Sequence, residues 1–312
     1  MYRTLLWAVI ACVLFGSCAQ KQQAAEKPVA EVPKSVLNVD VDPGIEHVMA
    51  HQKDIFEFLN DSLKLNIQYK TEAAMLEDFR THKADVLVMA RELDTAEKEG
   101  MISHDTLYVR ELQVAYDAVA LIGNKGFSDT TLTMEKLKAA FSPDNNDPNT
   151  HLMVFDEQQG SVVKFMLRKL GYKEKVSSHV YALKSPKEVI DYVKKDKNAI
   201  GFVPFNFLSD FNDSRVLRIY DSIKILSLRS KDEQGHDIRV SANQVDIVTA
   251  QYPLRRNINT VMRYNYAPLD WQFVNFLYKE RGARIFMKDG LIPAHIPALD
   301  IEVNTDGLKA RN

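Results

Sequence analysis

An α/β architecture with crossover helices is predicted by two observations. Short apolar runs alternate along the chain with amphipathic stretches of helical period. The composition, 46% hydrophobic and 26% charged over 312 residues, supplies a sizeable core and excludes a disordered, collagen-like or many-pass membrane protein. At roughly 100 to 200 residues per domain, the length allows two domains or two lobes. Lys and Arg number 40 against 42 Asp and Glu, a net charge of -2. That balance lacks the basic excess used in counterion-release binding, so nucleic acid is not an expected partner.

The chain opens on MYRTLLWAVIACVLFGS, residues 1–17, with Arg3 as a short positive region and an apolar run from Leu5 to Phe15 that is short for a bilayer span. It reads as an export signal peptide. Gly16 and Ser17 stand immediately before Cys18, resembling a lipoprotein box in which Cys18 takes the lipid and becomes the mature N-terminus. The only other cysteine, Cys12, leaves with the signal, so the mature chain is expected to hold neither an internal disulfide nor a cysteine metal cluster. Residues 18–35, rich in Ala, Gln and Pro and poor in large apolar side chains, read as a flexible tether between membrane and folded part.

Val36 to Val41 is strand-like and is followed by Asp42-Pro43-Gly44. From Ile45 a helical stripe runs through Val48, Met49, Ile55, Phe56 and Leu59. Leu65 to Tyr69 reads as a second strand, Thr71 to Arg80 as a second helix and Ala84 to Ala90 as a buried third strand, which completes a βαβαβ start. Leu112 to Ile122 reads as a strand whose alternation breaks at Tyr116-Asp117, and Thr133 caps a helix to Phe141. Leu152 to Phe155 is a strand that leads through Asp156 to Ser161 into a helix ended by Gly171. Pro186 to Lys194 is a helix with Pro in its first turn, and Ala199 to Phe205 a strand. Near the C-terminus Asp270 is expected to cap a helix with Trp271, Val274, Leu277 and Tyr278 inward, and a second short helix ends at Gly290.

Catalytic patterns are absent: no nucleophile elbow, Walker A loop, dinucleotide fingerprint or HExxH. No enzyme, cofactor or metal is expected. His47 and His51 share one helix face without a third ligand, and Glu97 and Glu99 read as a charged helix surface. What stands out is a set of strand-to-helix junctions: Asp42-Pro43-Gly44, Lys70-Thr71-Glu72 and Gln159-Gly160-Ser161. A helix start carries unpaired N–H groups and a partial positive charge, which suits an anion. In open α/β sheets such turns gather beyond the carboxyl ends of the strands. Each alone reads as an ordinary N-cap; together they outline a site.

An ordered set of segments adds to this: ADVLVMAREL (Ala84 to Leu93, with Arg91), VAYDAVALIGNK (Val114 to Lys125), TLTMEKLKAAFS (Thr131 to Ser142), EQQGSVVKFML (Glu157 to Leu167) and AIGFVPF (Ala199 to Phe205). YPLRRNI (Tyr252 to Ile258) and the run from Phe273 to Pro297 complete it. From about Val36 to Val303 this order resembles the phosphate-binding subunits of ABC transporters, in the Bacteroidetes-type lipoprotein branch. The resemblance implies the two-lobe type II periplasmic binding protein fold, with mixed sheets flanked by helices and two hinge crossings. Residues 36–112 and 222–312 would form lobe one and residues 113–221 lobe two. Thr71 matches the family's Ser/Gly turn, and Gln159, Gly160 and Ser161 match its SGT turn, with Gln in place of the first Ser. The family's Arg before that turn falls near Phe155 and its proton-accepting Asp near Ala90, so Arg91 becomes the candidate cation.

The function so implied is an exported, membrane-anchored solute-binding lipoprotein facing the periplasm. It would bind a small oxyanion, phosphate foremost, through Gly44, Thr71, Arg91, Gln159, Gly160 and Ser161, and deliver it to an ABC permease. The alternative is a non-transport sensor or scaffold lipoprotein with a degenerate cleft.

Overall fold

Seven residues of alternating then continuous burial make the first strand, β1 (Ser35–Val41), and its neighbours follow from the same pattern. The computed structural model describes residues 35–295 apart from 106–107, 129–131, 157–159, 174 and 264–267. Cys18, the segment before residue 35 and Gln159 lie outside the described residues. The expected βαβαβ start is present: β1, α1 (Glu46–Leu59), β2 (Leu63–Tyr69), α2 (Glu72–Arg80) and β3 (Val86–Met89). β1 lies between β2 and β3 and is parallel to both.

The chain continues through α3 (Thr95–Asp105), β4 (Val109–Asn124), α4 (Met134–Phe141), β5 (Leu152–Phe155), α5 (Ser161–Leu170), β6 (Val180–Ala182), α6 (Pro186–Val193) and β7 (Ala199–Pro204). Then come α7 (Ser214–Ser222), β8 (Ile223–Ile225), β9 (Leu228–Lys231), β10 (Asp237–Val240), α8 (Gln244–Val248) and β11 (Arg255–Arg263). The last elements are α9 (Pro268–Tyr278), α10 (Glu280–Lys288) and β12 (Ile292–Pro293). The strands form one mixed sheet in the order β2-β1-β3-β11-β4-β7-β5-β6, with β8 and β12 also on β4 and the β9–β10 hairpin apart.

β4 is the shared strand. It runs antiparallel to β11 as far as the pair Ala118 and Arg255, then changes partner and runs antiparallel to β7 from the pair Val119 and Pro204. The change is pinned by Tyr252, fully buried, whose hydroxyl donates to the Val119 carbonyl at 2.8 Å. β5 is parallel to both β6 and β7. The sheet thus has two halves, each with a set of parallel strands, joined through one long strand that both use.

Local chemistry explains the helix limits that position the site. Ser185 accepts the Glu188 N–H and Pro186 starts α6. Gly171 adopts φ 80° after α5, a left-handed stop that a side chain would strain. The apolar faces then pack two aromatic clusters. In one half Phe155 and Phe202 stack at 4.5 Å with Phe141 edge-on to both; in the other Phe56 sits edge-on to Phe273 and Phe276.

Several expectations are corrected. Trp271 is 44% exposed rather than inward, with the Arg110 guanidinium over its ring, while Phe273 takes the buried position. Asp270 lies inside the first turn of α9 rather than before it. On α1 the drifting stripe leaves Ile55 and Leu59 largely exposed, and Gln52 is buried in their place by donating to the Gly282 carbonyl. β11 carries Arg255, Arg256 and Arg263, a polarity that hides a central strand from hydrophobic patterning.

Gly201 in β7 supplies a test of the packing. A Cβ there would lie 2.7 Å from Val189 Cγ1 and 2.8 Å from Ile122 Cγ1, both buried. Gly201→Ala is therefore expected to destabilise by about 1 to 3 kcal/mol through overpacking. Urea unfolding should show a lower midpoint at an unchanged slope.

Candidate ligand-binding site

The carboxyl ends of β1, β2, β5, β6 and β7 open on a common cavity of about 490 Å³. Its walls include Asp42 and Gly44 after β1, Thr71 and Glu72 after β2, Asp156 after β5, and Gly160 and Ser161 at the start of α5. Lys184, Ser185, Asn206, Glu46 and His47 complete the polar lining. Of the residues anticipated from the sequence, Gly44, Thr71, Gly160 and Ser161 come together here, as expected for turns beyond strand ends. Thr71 is the N-cap of α2, yet its hydroxyl makes no capping bond. Gly160 caps α5 with an extended backbone, φ −68° and ψ 161°.

Arg91 is placed differently. Its guanidinium is outside the cavity lining and is taken up by acids: Nε donates to Glu72 at 3.1 Å, and Nη1 and Nη2 donate to Glu97 at 2.7 Å each. Arg168 of α5 adds two bonds to Glu72 at 3.4 Å. Burial pushes the Glu72 carboxyl up, but Arg91 and Arg168 outweigh it and hold the group below its ordinary value. Glu72 therefore enters the cavity wall as a charged, already paired group, and Glu97 works as Arg91's partner on α3.

Lys184 is the cation in the cavity lining; behind the wall stands a buried one, Arg256, 3% exposed on β11. Nε and Nη2 donate to Asp117 Oδ2 at 2.9 and 2.7 Å, and Nη1 donates to Ser161 Oγ at 3.0 Å. Burial disfavours the charge on Arg256, yet Asp117 and Asp42 outweigh it and raise the guanidinium above its ordinary value. Asn206, after β7, donates its N–H to Asp117 Oδ1 and its amide to Asp117 Oδ2 at 3.1 Å each, and the same amide donates to the Gly44 carbonyl at 2.7 Å. One buried ion pair thereby positions β4, β11, the turn after β7, the Asp42-Pro43-Gly44 turn and the start of α5.

Sequence reading passed over Arg256 and Asp117, although each left a trace. Asp117 is where the alternation of β4 breaks, and Arg256 stands in YPLRRNI. What no sequence pattern shows is that the two meet.

Asp42 is the second feature that sequence alone did not assign. It is 2% exposed. Oδ1 accepts the Gly44 N–H at 2.8 Å and the Ser161 hydroxyl at 2.9 Å, while Oδ2 has no hydrogen-bond partner among the described residues. Burial pushes its carboxyl above the ordinary range against the pull of Arg256 and these two donors. The cluster is tight: a Cβ at position 44 would lie 3.2 Å from Asp42 Oδ1, 3.2 Å from Ser161 Oγ and 3.4 Å from Arg256 Nη2. A side chain there needs these neighbours to give by a few tenths of an ångström.

Comparison with known proteins follows the same lines. The sequence profile of the PBP superfamily domain matches residues 28–281. The chain belongs to the PBP superfamily. Its fold is the type II periplasmic binding protein fold, as the order of its motifs implied. Among solved structures, this superfamily member is similar to an ABC-type phosphate transport receptor from Vibrio cholerae, with 16% identity over 82% of this chain and 99% of that one at a TM-score of 0.66. It is similar to a putative phosphate ABC transporter substrate-binding protein with bound phosphate from Clostridium perfringens, at 19% identity, 84% and 100% coverage and a TM-score of 0.65. PstS from Borrelia burgdorferi aligns with 16% identity, 83% and 99% coverage and a TM-score of 0.56. At these identities the likeness is one of fold. No curated protein matches the sequence.

The buried pair yields a stability prediction. Arg256→Ala leaves Asp117 charged in the interior and is expected to cost about 3 to 5 kcal/mol. Arg256→Met combined with Asp117→Leu, which removes both charges, is expected to recover most of that loss in the same urea titration.

Proposed function

We propose that this chain is an extracytoplasmic solute-binding lipoprotein, anchored through acylated Cys18 and tethered by residues 18–35, that receives a small oxyanion in the cavity at the strand ends. Phosphate is the foremost candidate, and an ABC permease the recipient. The observation that carries the proposal is convergence: the Gly44 N–H and the Ser161 hydroxyl meet at Asp42 in the cavity wall, and the Arg256 guanidinium, buried behind that wall, donates to the same serine. Backbone and hydroxyl donors beside a buried cation are the chemistry of an anion site. The phosphate receptors that share the fold support the choice of ion. The two halves of the sheet act as lobes, residues 36–112 with 222–312 and residues 113–221, and closure on the ligand uses the crossings between them.

A second function, that of a sensor or scaffold with a degenerate cleft, is favoured by one specific observation. Asp42, Glu46, Glu72 and Asp156 line the cavity against Lys184 and His47. Acidic walls oppose an incoming anion.

Melting of the purified protein with phosphate, sulfate, molybdate and tungstate separates the two. An ion present at about 100 times its dissociation constant stabilises a one-site receptor by about 2.7 kcal/mol. If no ion moves the melting temperature, the sensor or scaffold function stands in place of transport. Mass spectrometry of the mature protein is expected to find a chain that begins at acylated Cys18, and a chain that begins elsewhere removes the anchor.

A further inference from the structure

The donors of the anion site are already in use. Asp42 Oδ1 accepts both the Gly44 N–H and the Ser161 hydroxyl, and the Arg256 guanidinium lies behind the same serine. These groups are packed so closely that even a single carbon at position 44 would touch Asp42, Ser161 and Arg256. An oxyanion that used the same donors would have to stand where the Asp42 carboxylate stands. Asp42 lines the cavity, and its buried Oδ2 has no hydrogen-bond partner among the described residues.

We propose that Asp42 is the specificity-determining residue of this cleft: its side chain is a built-in anion that occupies the oxyanion subsite and excludes external oxyanions until it is displaced or removed. The proposal rests on the oxyanion site described above, and it assigns to one residue the difference between a receptor and a closed cleft. Besides accepting the Ser161 hydroxyl, Asp42 contributes to the fold the cap of a single short turn, Pro43–Ile45, which a serine can also supply. Arg256 keeps Asp117 as its partner when Asp42 is replaced. The fold therefore does not depend on the carboxylate, whereas the anion selectivity does.

The experiment is calorimetric titration of inorganic phosphate and of sulfate into the full-length protein, Asp42→Ser and Asp42→Asn, with circular dichroism and a cooperative melt as the check of folding. Asp42→Ser is expected to bind phosphate at least tenfold more tightly than the wild type, and sulfate likewise, because the subsite is vacated and its donors are released. Adding Ser161→Ala to Asp42→Ser is expected to take most of the gain away. Asp42→Asn, which keeps the shape and the Gly44 bond but loses the charge, provides the comparison if the serine variant does not fold, and it too is expected to exceed the wild type. Wild-type binding as tight as or tighter than that of both variants overturns the proposal while the oxyanion site survives, with Asp42 then a direct ligand contact. Folded variants that bind neither ion overturn the proposal and the oxyanion site together.

Discussion

A guanidinium buried where two strands meet is the constraint on which the rest of the site depends. Arg256 cannot stand in the interior unpaired, since an isolated charge of that kind is far more costly than a neutral polar group. Asp117, on the strand shared by both halves of the sheet, provides the counter-charge through two bonds to one oxygen. Everything nearby is arranged to complete these two groups: Asn206 satisfies both oxygens of Asp117, and Ser161 accepts the remaining Arg256 nitrogen. The orientation of Ser161 then fixes the donor it offers to Asp42, and the Asn206 amide fixes the Gly44 carbonyl. Residues from five separate elements share one geometry because one charge demands it.

The fold was largely legible in the sequence, for reasons that can be named. Strands buried on both faces, such as Val86 to Met89, leave continuous apolar runs, and helix limits such as Ser185-Pro186 and Gly171 leave chemical punctuation. β11 was not legible. Its two faces serve different purposes: Arg255 lies over the Tyr116 ring at 3.7 Å while Arg256 points into the protein, so neither periodicity nor polarity marks it as a central strand.

The site was legible only in part. Gly44, Thr71, Gly160 and Ser161 could be placed because helix starts after strands announce themselves locally. The charges could not be placed, because they pair across 139 residues in the case of Arg256 and Asp117 and 119 in the case of Ser161 and Asp42. Arg91 illustrates the difference. It follows the third strand where a cavity-facing cation would be convenient, but Glu72 and Glu97 were equally present in the sequence, and only the fold shows that they neutralise it.

Magnitudes decide how the cleft should be understood. A helix N-terminus favours an anion by about 0.3 to 1 kcal/mol at ordinary exposure. A carboxylate about 4 Å from an incoming anion opposes it by about 4 kcal/mol at an effective dielectric constant of about 20. The helix starts at Thr71 and Ser161 therefore do not outweigh Asp42 while it is charged, and Arg256 is already shared with Asp117 and Asp42. In this cleft the strong anion-binding groups are organised around an anion that belongs to the chain. On the proposal made above, strand ends and helix starts supply the site, and the sign of its selectivity rests on the one carboxylate that those groups hold.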